Sequence, residues 1–191
     1  MDLHKLGIKF FAADGERVDI LKLIPIYHRW IQQNALEDLL IDVADYSHVP
    51  TGPGVMLIAH EGNYALDETG HERGVVYYSK HRLDGELADR FASVAHKALK
   101  AAQLMSTDAD LAGSLKVPGN RLELFANDRL AAPNTDEAYA ALEPALKAFL
   151  ERLFARAPYT LTRESDPKER LSVRVQADGE VPLETLIERV A

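Results

Sequence analysis

Between Leu36 and His81 the chain gathers most of its residues that could do chemistry: Asp42, Asp45, Tyr46, His48, His60, Glu61, Tyr64, Asp67, Tyr78 and Lys80. A carboxylate beside an imidazole raises the histidine pKa and fixes its tautomer, which is the arrangement used in general acid/base work. His60 with Asp42 or Glu61 is therefore the candidate catalytic cluster, and Tyr46, His48, Tyr64, Tyr78 and Lys80 are candidate ligand-binding groups around it. No metal site and no cofactor is expected. The absence of cysteine removes thiol nucleophiles and thiolate metal sites. The chain also has no serine-centred nucleophile elbow, no helical histidine pair with a glutamate and no calcium loop.

Three apolar runs must position these groups: Leu39 to Val43, Val55 to Ala59 and Gly74 to Ser79. The breaks Pro50-Thr51-Gly52-Pro53-Gly54 and Glu68-Thr69-Gly70-His71 carry the glycines and prolines of turns, so the stretch predicts a three-stranded antiparallel meander. With the first hairpin centred on Gly52, position 44 lies opposite 60 and 46 opposite 58. Asp42 is then a diagonal neighbour of His60, about 7 to 8 Å away between backbones. His48 lies roughly 13 Å along the strand, which argues against a metal pair with His60. The competing expectation for His60 and Glu61 is a plain strand end near Gly62, with both side chains solvated. A slip of one residue would send Asp42 and His60 to opposite faces. The loop Val49 to Gly54 has two glycines but lacks the Lys-Ser/Thr of a phosphate-binding loop, and is read as a stiff hairpin connection.

Around the meander, Lys5 to Ala13 predicts a first strand ended by a turn at Asp14-Gly15. Asp19 can cap a helix through Ile20, Leu23, Ile24, Tyr27, Trp30 and Ile31, divided or kinked at Pro25 and ending near Asn34. His28 on that helix is a rim residue. Asp84 to Met105 is the clearest helix, with Leu87, Phe91, Val94, Ala98 and Ala102 on its apolar face and His96 on the face turned to water. Ser106 to Gly119 is irregular. Arg121 to Asn127 predicts a strand, Asn127-Asp128-Arg129 a turn, and Asn134 or Thr135 the cap of a long helix through Tyr139, Leu142, Leu146, Phe149, Leu150 and Leu153. Tyr159 to Arg163 and Leu171 to Val175 predict strands, and Pro182 starts a terminal helix.

The order is β-α-β-β-β-α followed by β-α-β-β-α. This is an α+β protein, with antiparallel sheet or sheets carrying helices on one face, built from ferredoxin-like split βαβ units. The chain is expected to be one domain over 1–191, with halves 1–118 and 119–191 a degenerate duplication. Phe11, Ala12 and Asp14 of the first half recur as Phe125, Ala126 and Asp128 of the second. A net charge of −8 with interspersed basic residues argues against nucleic acid. No apolar run reaches the ~18 to 20 residues of a membrane span, and the start at Met1-Asp2 lacks a secretory layout, so a cytoplasmic protein is expected. Three functions fit: a small-molecule-binding or regulatory module, a small enzyme using His60 with Asp42 or Glu61, or a homodimeric assembly protein. The polar, tyrosine-rich stretch without a recognisable nucleophile favours the first.

Overall fold

Leu6 to Phe11 forms a strand, β1, whose six residues are all buried, because the sheet continues on both of its edges. The remaining elements are α1 (Leu23–Gln33), β2 (Leu40–Tyr46), β3 (Gly54–Ala59), β4 (Gly62–Asp67), β5 (Gly74–Ser79), α2 (Leu87–Thr107), β6 (Arg121–Ala126), α3 (Asp136–Phe154), β7 (Tyr159–Arg163), β8 (Ser172–Ala177) and α4 (Leu183–Val190). The computed structural model describes residues 3–13, 15, 18–49, 52–111 and 113–191. Asp14 of the expected turn, Pro50 and Thr51 of the expected hairpin connection, and Met1 and Asp2 lie outside the described residues.

All eight strands join one antiparallel sheet in the order β2-β3-β4-β5-β1-β6-β8-β7. Outward from the β1–β6 pair, each part of the chain sets its last strand against its first: β5 beside β1, and β8 beside β6. Helix α3 connects β6 to β7 across β8, and α1 connects β1 to β2 across three strands. The helices bury their apolar stripes in a single cluster with alternate strand residues, including Ile8, Phe10, Leu57, Tyr77, Leu124 and Val175. The fold is α+β with helices packed against one antiparallel sheet. Among the described residues no helix is long and apolar enough to cross a membrane.

The meander has four strands, not three. Gly62-Asn63 and Asp67 are poor β-formers, so β4 carries a weak local signal, yet it pairs with β3 through Met56–Ala65 and with β5 through Asn63–Tyr78. The first hairpin also has a different register: Asp42 faces Ile58 and Tyr46 faces Gly54, with an irregularity between Leu40 and Asp42. Position 44 therefore faces Met56 instead of 60. Asp19 caps only one 3-10 turn, Ile20–Lys22, accepting from the Leu21 N–H at 3.1 Å. Helix α1 then starts at Leu23, which places Pro25 in its first turn, where a missing N–H breaks no intrahelical bond. His96 is not turned out to water: its side chain is mostly covered and stands 3.4 Å from Glu37.

The sheet face without helices has its own small cluster of Met56, Ala65, Val76 and Phe125, with Tyr78 against it. Its centre depends on a missing side chain. A Cβ on Gly7 would lie 2.1 Å from the Phe125 ring, so the ring occupies the space over β1 that any other residue would fill. Gly7→Ala should therefore lower stability by about 1 to 3 kcal/mol through overpacking, although alanine is the better strand residue. Denaturant midpoints of Gly7→Ala, Phe125→Ala and the double variant should show positive coupling between the two sites.

Candidate functional site

The eight residues singled out for chemistry do not converge. His60 lies in the β3–β4 turn, where its N–H donates to the Leu39 carbonyl at 2.9 Å, and its exposed ring stands 3.2 Å from Glu61. Burial works to raise the Glu61 pKa, but backbone hydrogen bonding, His60 and Lys97 outweigh it and hold the carboxyl below its ordinary value. Asp42 turns back on its own strand, accepting from the Val43 N–H at 2.8 Å. In the observed register it stands across from Ile58, and among the described residues its side chain makes no hydrogen bond or ion pair with His60, which pairs with Glu61 instead. Lys80 is committed to the Ala59 carbonyl at 2.6 Å. His48 and Tyr46 are exposed near the β2–β3 tip.

Tyr64 and Tyr78 lie on opposite faces of the sheet. Tyr64 is in the helix-covered core, where its hydroxyl donates to Asp38 at 2.9 Å and its ring packs 4.7 Å from that of Tyr77. Lys97 of α2 pairs with the other Asp38 oxygen and stands over the Tyr77 ring. Burial, and then the neighbouring Asp38 charge, push both tyrosines well above the ordinary phenol range. Tyr64 is a hydrogen-bonding group of the packed core, and Tyr77 packs against it with its hydroxyl buried. Tyr78 faces the other way, donating to the Met56 sulfur at 2.8 Å, with its pKa raised by burial.

That uncovered face holds a groove of about 900 Å³. Ala65, Val76 and Phe125 form an apolar floor, and Tyr78 stands beside them. One wall is the segment after β6, Asn127 to Leu130, and the other includes Gly52, Pro53, Asp67 and Thr69. Glu169 and Arg170, which precede β8, close the remaining side. The sequence reading of Asn127-Asp128-Arg129 as a plain turn missed this wall. Strand pairing explains the convergence: Phe125 faces Ser172 across β6–β8, so Arg170, two residues earlier, reaches back over the same face.

Of the three cations that line the groove, Lys9 and Arg170 were not singled out from the sequence. Lys9 is only 4% exposed, yet its ammonium donates to Asp67 and to the Glu72 carbonyl, both at 2.5 Å. It reaches them across Gly74 of β5, where a Cβ would stand 2.8 Å from the Lys9 stem. The second Asp67 oxygen accepts from the Thr69 hydroxyl at 2.7 Å. Arg170 lays its guanidinium 3.5 Å above the Phe125 ring centroid and donates to Asn127 at 3.3 Å. Burial lowers its pKa, opposed by the more distant charges of Glu123, Asp67 and Glu169. At the neighbouring end of the face, Glu72 pairs with Arg121 and, at 2.8 Å, with Arg174.

The only sequence signals for these residues are the charged Lys9 inside an apolar strand, Gly7 within the same strand and Gly74 at the start of β5, glycines that mark close approach. The described groove residues include no histidine or serine; the groove's hydroxyls are those of Thr69, which donates to Asp67, and Tyr78, which donates to Met56. No protein-family model matches the sequence, and no curated protein matches it.

Removing Lys9 alone leaves a partly buried carboxylate unpaired. Lys9→Met should cost about 3 to 5 kcal/mol, whereas Lys9→Met with Asp67→Leu should recover most of it, as measured by urea unfolding. Glu72 makes a separate prediction. Burial works to raise its pKa, but Arg174 and Arg121 outweigh this and hold it below the ordinary 4.5. Its pairing thus contributes fully above about pH 4.5 and is lost as pH falls through the lower folded-state value. Glu72→Gln should reduce stability at neutral pH and flatten the acid limb of a stability–pH curve.

Proposed function

We propose that this chain is a small-molecule-binding module that holds its ligand in the groove on the uncovered sheet face. The observation that carries the reading is the groove itself: about 900 Å³, floored by Ala65, Val76 and Phe125 and edged by polar and charged groups. Ligand sites are typically concave, of about 300 to 1,000 Å³, mostly apolar with a few oriented polar groups. The binding function expected from the sequence thus keeps its class and Tyr78, while the rest of the site moves to β1, β6 and the segments flanking β6 and β8. In this reading the two parts of the chain are ferredoxin-like split βαβ units that place their first strands side by side. The groove lies where those strands meet. The His60–Glu61 pair has weaker support as an acid/base centre, because it is exposed and lies outside the groove.

The test is a thermal-shift screen of the full chain against amino acids, carboxylic acids, nucleotides and sugar phosphates, repeated on Thr69→Trp. Thr69 lies on the exposed wall, and an indole there fills the groove. A ligand at a hundred times its Kd should add about 2.7 kcal/mol of stability to the native protein, and the indole should abolish that shift. A shift that Thr69→Trp leaves intact places binding elsewhere and overturns the reading.

A further inference from the structure

We infer that the groove selects a small amphiphilic monoanion and that Arg170 is the residue that fastens its carboxylate; this rests on the groove being a binding site. The first observation is the state of the cations on this face. Lys9 is paired with Asp67, and Arg121 and Arg174 share Glu72. Arg170 is stacked on an aromatic ring and largely removed from water, yet among the described residues it forms no ion pair with a carboxylate. Its one hydrogen bond to a side chain is to the neutral amide of Asn127, at 3.3 Å. A guanidinium carries five N–H donors in a rigid fork, and only one hydrogen bond from this fork to a side chain is made among the described residues. A carboxylate matches that fork with two parallel hydrogen bonds.

The second observation is that the fork is aimed before any ligand arrives. The Phe125 ring is held over Gly7, with 2.1 Å between the ring and the place a Cβ would take, and Arg170 lies flat on that ring. Backbone, ring and guanidinium form three stacked layers whose top layer is in the groove. Such preorganisation reduces the ordering cost of binding. A lysine could not lie flat in this way, because its ammonium is a point charge on a flexible stem.

Charge balance and the floor identify the rest of the ligand. Lys9 and Asp67 cancel each other, and the rim adds Arg129 against Asp128 and Glu169. A polyanion such as a nucleoside triphosphate would meet those two carboxylates. A single negative charge at Arg170 meets a stacked guanidinium that forms no ion pair among the described residues. Beside it, Ala65 and Val76 offer an apolar surface for the body of the same molecule.

The experiment is protein-observed NMR on the full chain, following the Arg170 side-chain N–H signal and the Ala65 and Val76 methyls. The probes are three carboxylates and their primary amides: benzoate and benzamide, 4-phenylbutyrate and 4-phenylbutyramide, octanoate and octanamide, with inorganic phosphate alongside. The expected result is that at least one carboxylate shifts both sets of signals and binds about tenfold or more tightly than its amide. In Arg170→Met that carboxylate should fall to the affinity of the amide, and Arg170→Lys should not restore it. Should carboxylate and amide bind the groove equally, the anion inference fails while the groove survives as a binding site. Inorganic phosphate matching the best carboxylate at Arg170 would overturn the carboxylate assignment. If none of the seven probes moves the groove signals, both the inference and the binding site are overturned.

Discussion

A sheet that carries helices on only one face has to keep water from the backbone and apolar side chains of the other. In this protein the solution rests on one packing contact, the Phe125 ring lying across Gly7 at the junction of β1 and β6. The ring can cover the central strand only because no side chain rises from it there. It also supplies the surface on which Arg170 lies, so a glycine in β1 determines where a cation preceding β8 comes to rest. Close packing propagates such constraints, because interiors deform little and a displaced ring must displace what touches it.

The second constraint is electrostatic. Lys9 points out of the sheet from the middle of β1 and would be a buried unpaired charge if Asp67 were not two strands away. The pair is made possible by Gly74, whose lack of a side chain lets the lysine stem cross β5. Both open-face glycines thus serve close approach: one admits a ring, the other an alkyl chain. Together with Glu72 between Arg121 and Arg174, they line the face with ion pairs beside Arg170, which forms none among the described residues.

The helix-covered face has the complementary organisation. Asp38, Tyr64, Tyr77 and Lys97 bring polar groups into the core, and the acid is matched by a lysine and a hydroxyl. The Asp38 carboxylate thereby fixes the Tyr64 hydroxyl within the packed core. That explains why Tyr64, which stands out in the sequence as a polar aromatic near His60, is a structural group in the molecule. Tyr78, one strand away and facing outward, is free to take part in the groove.

Much of the architecture was legible from periodicity. The α+β class, the positions of α2, α3 and α4, the strand Gly74–Ser79, the cap at Thr135 and the helix end at Asn34 all follow from apolar spacing and from residues whose local chemistry acts within one turn. What failed were features set by long-range pairing. Strand β4 has weak local propensity and exists because β3 and β5 flank it, and the β2–β3 register depends on an irregularity at Leu40/Asp42 that no residue pattern announces. The site was harder still to read. Lys9, Asp67, Phe125, Asn127 and Arg170 are spread over most of the chain, and they meet only because β1 lies between β5 and β6, and β8 beside β6. Sequence alone determined which residues could be inside and which local elements they form, since those preferences act between near neighbours. Tertiary structure decided which charges were left without a partner, because that depends on how strands distant in sequence are ordered in the sheet.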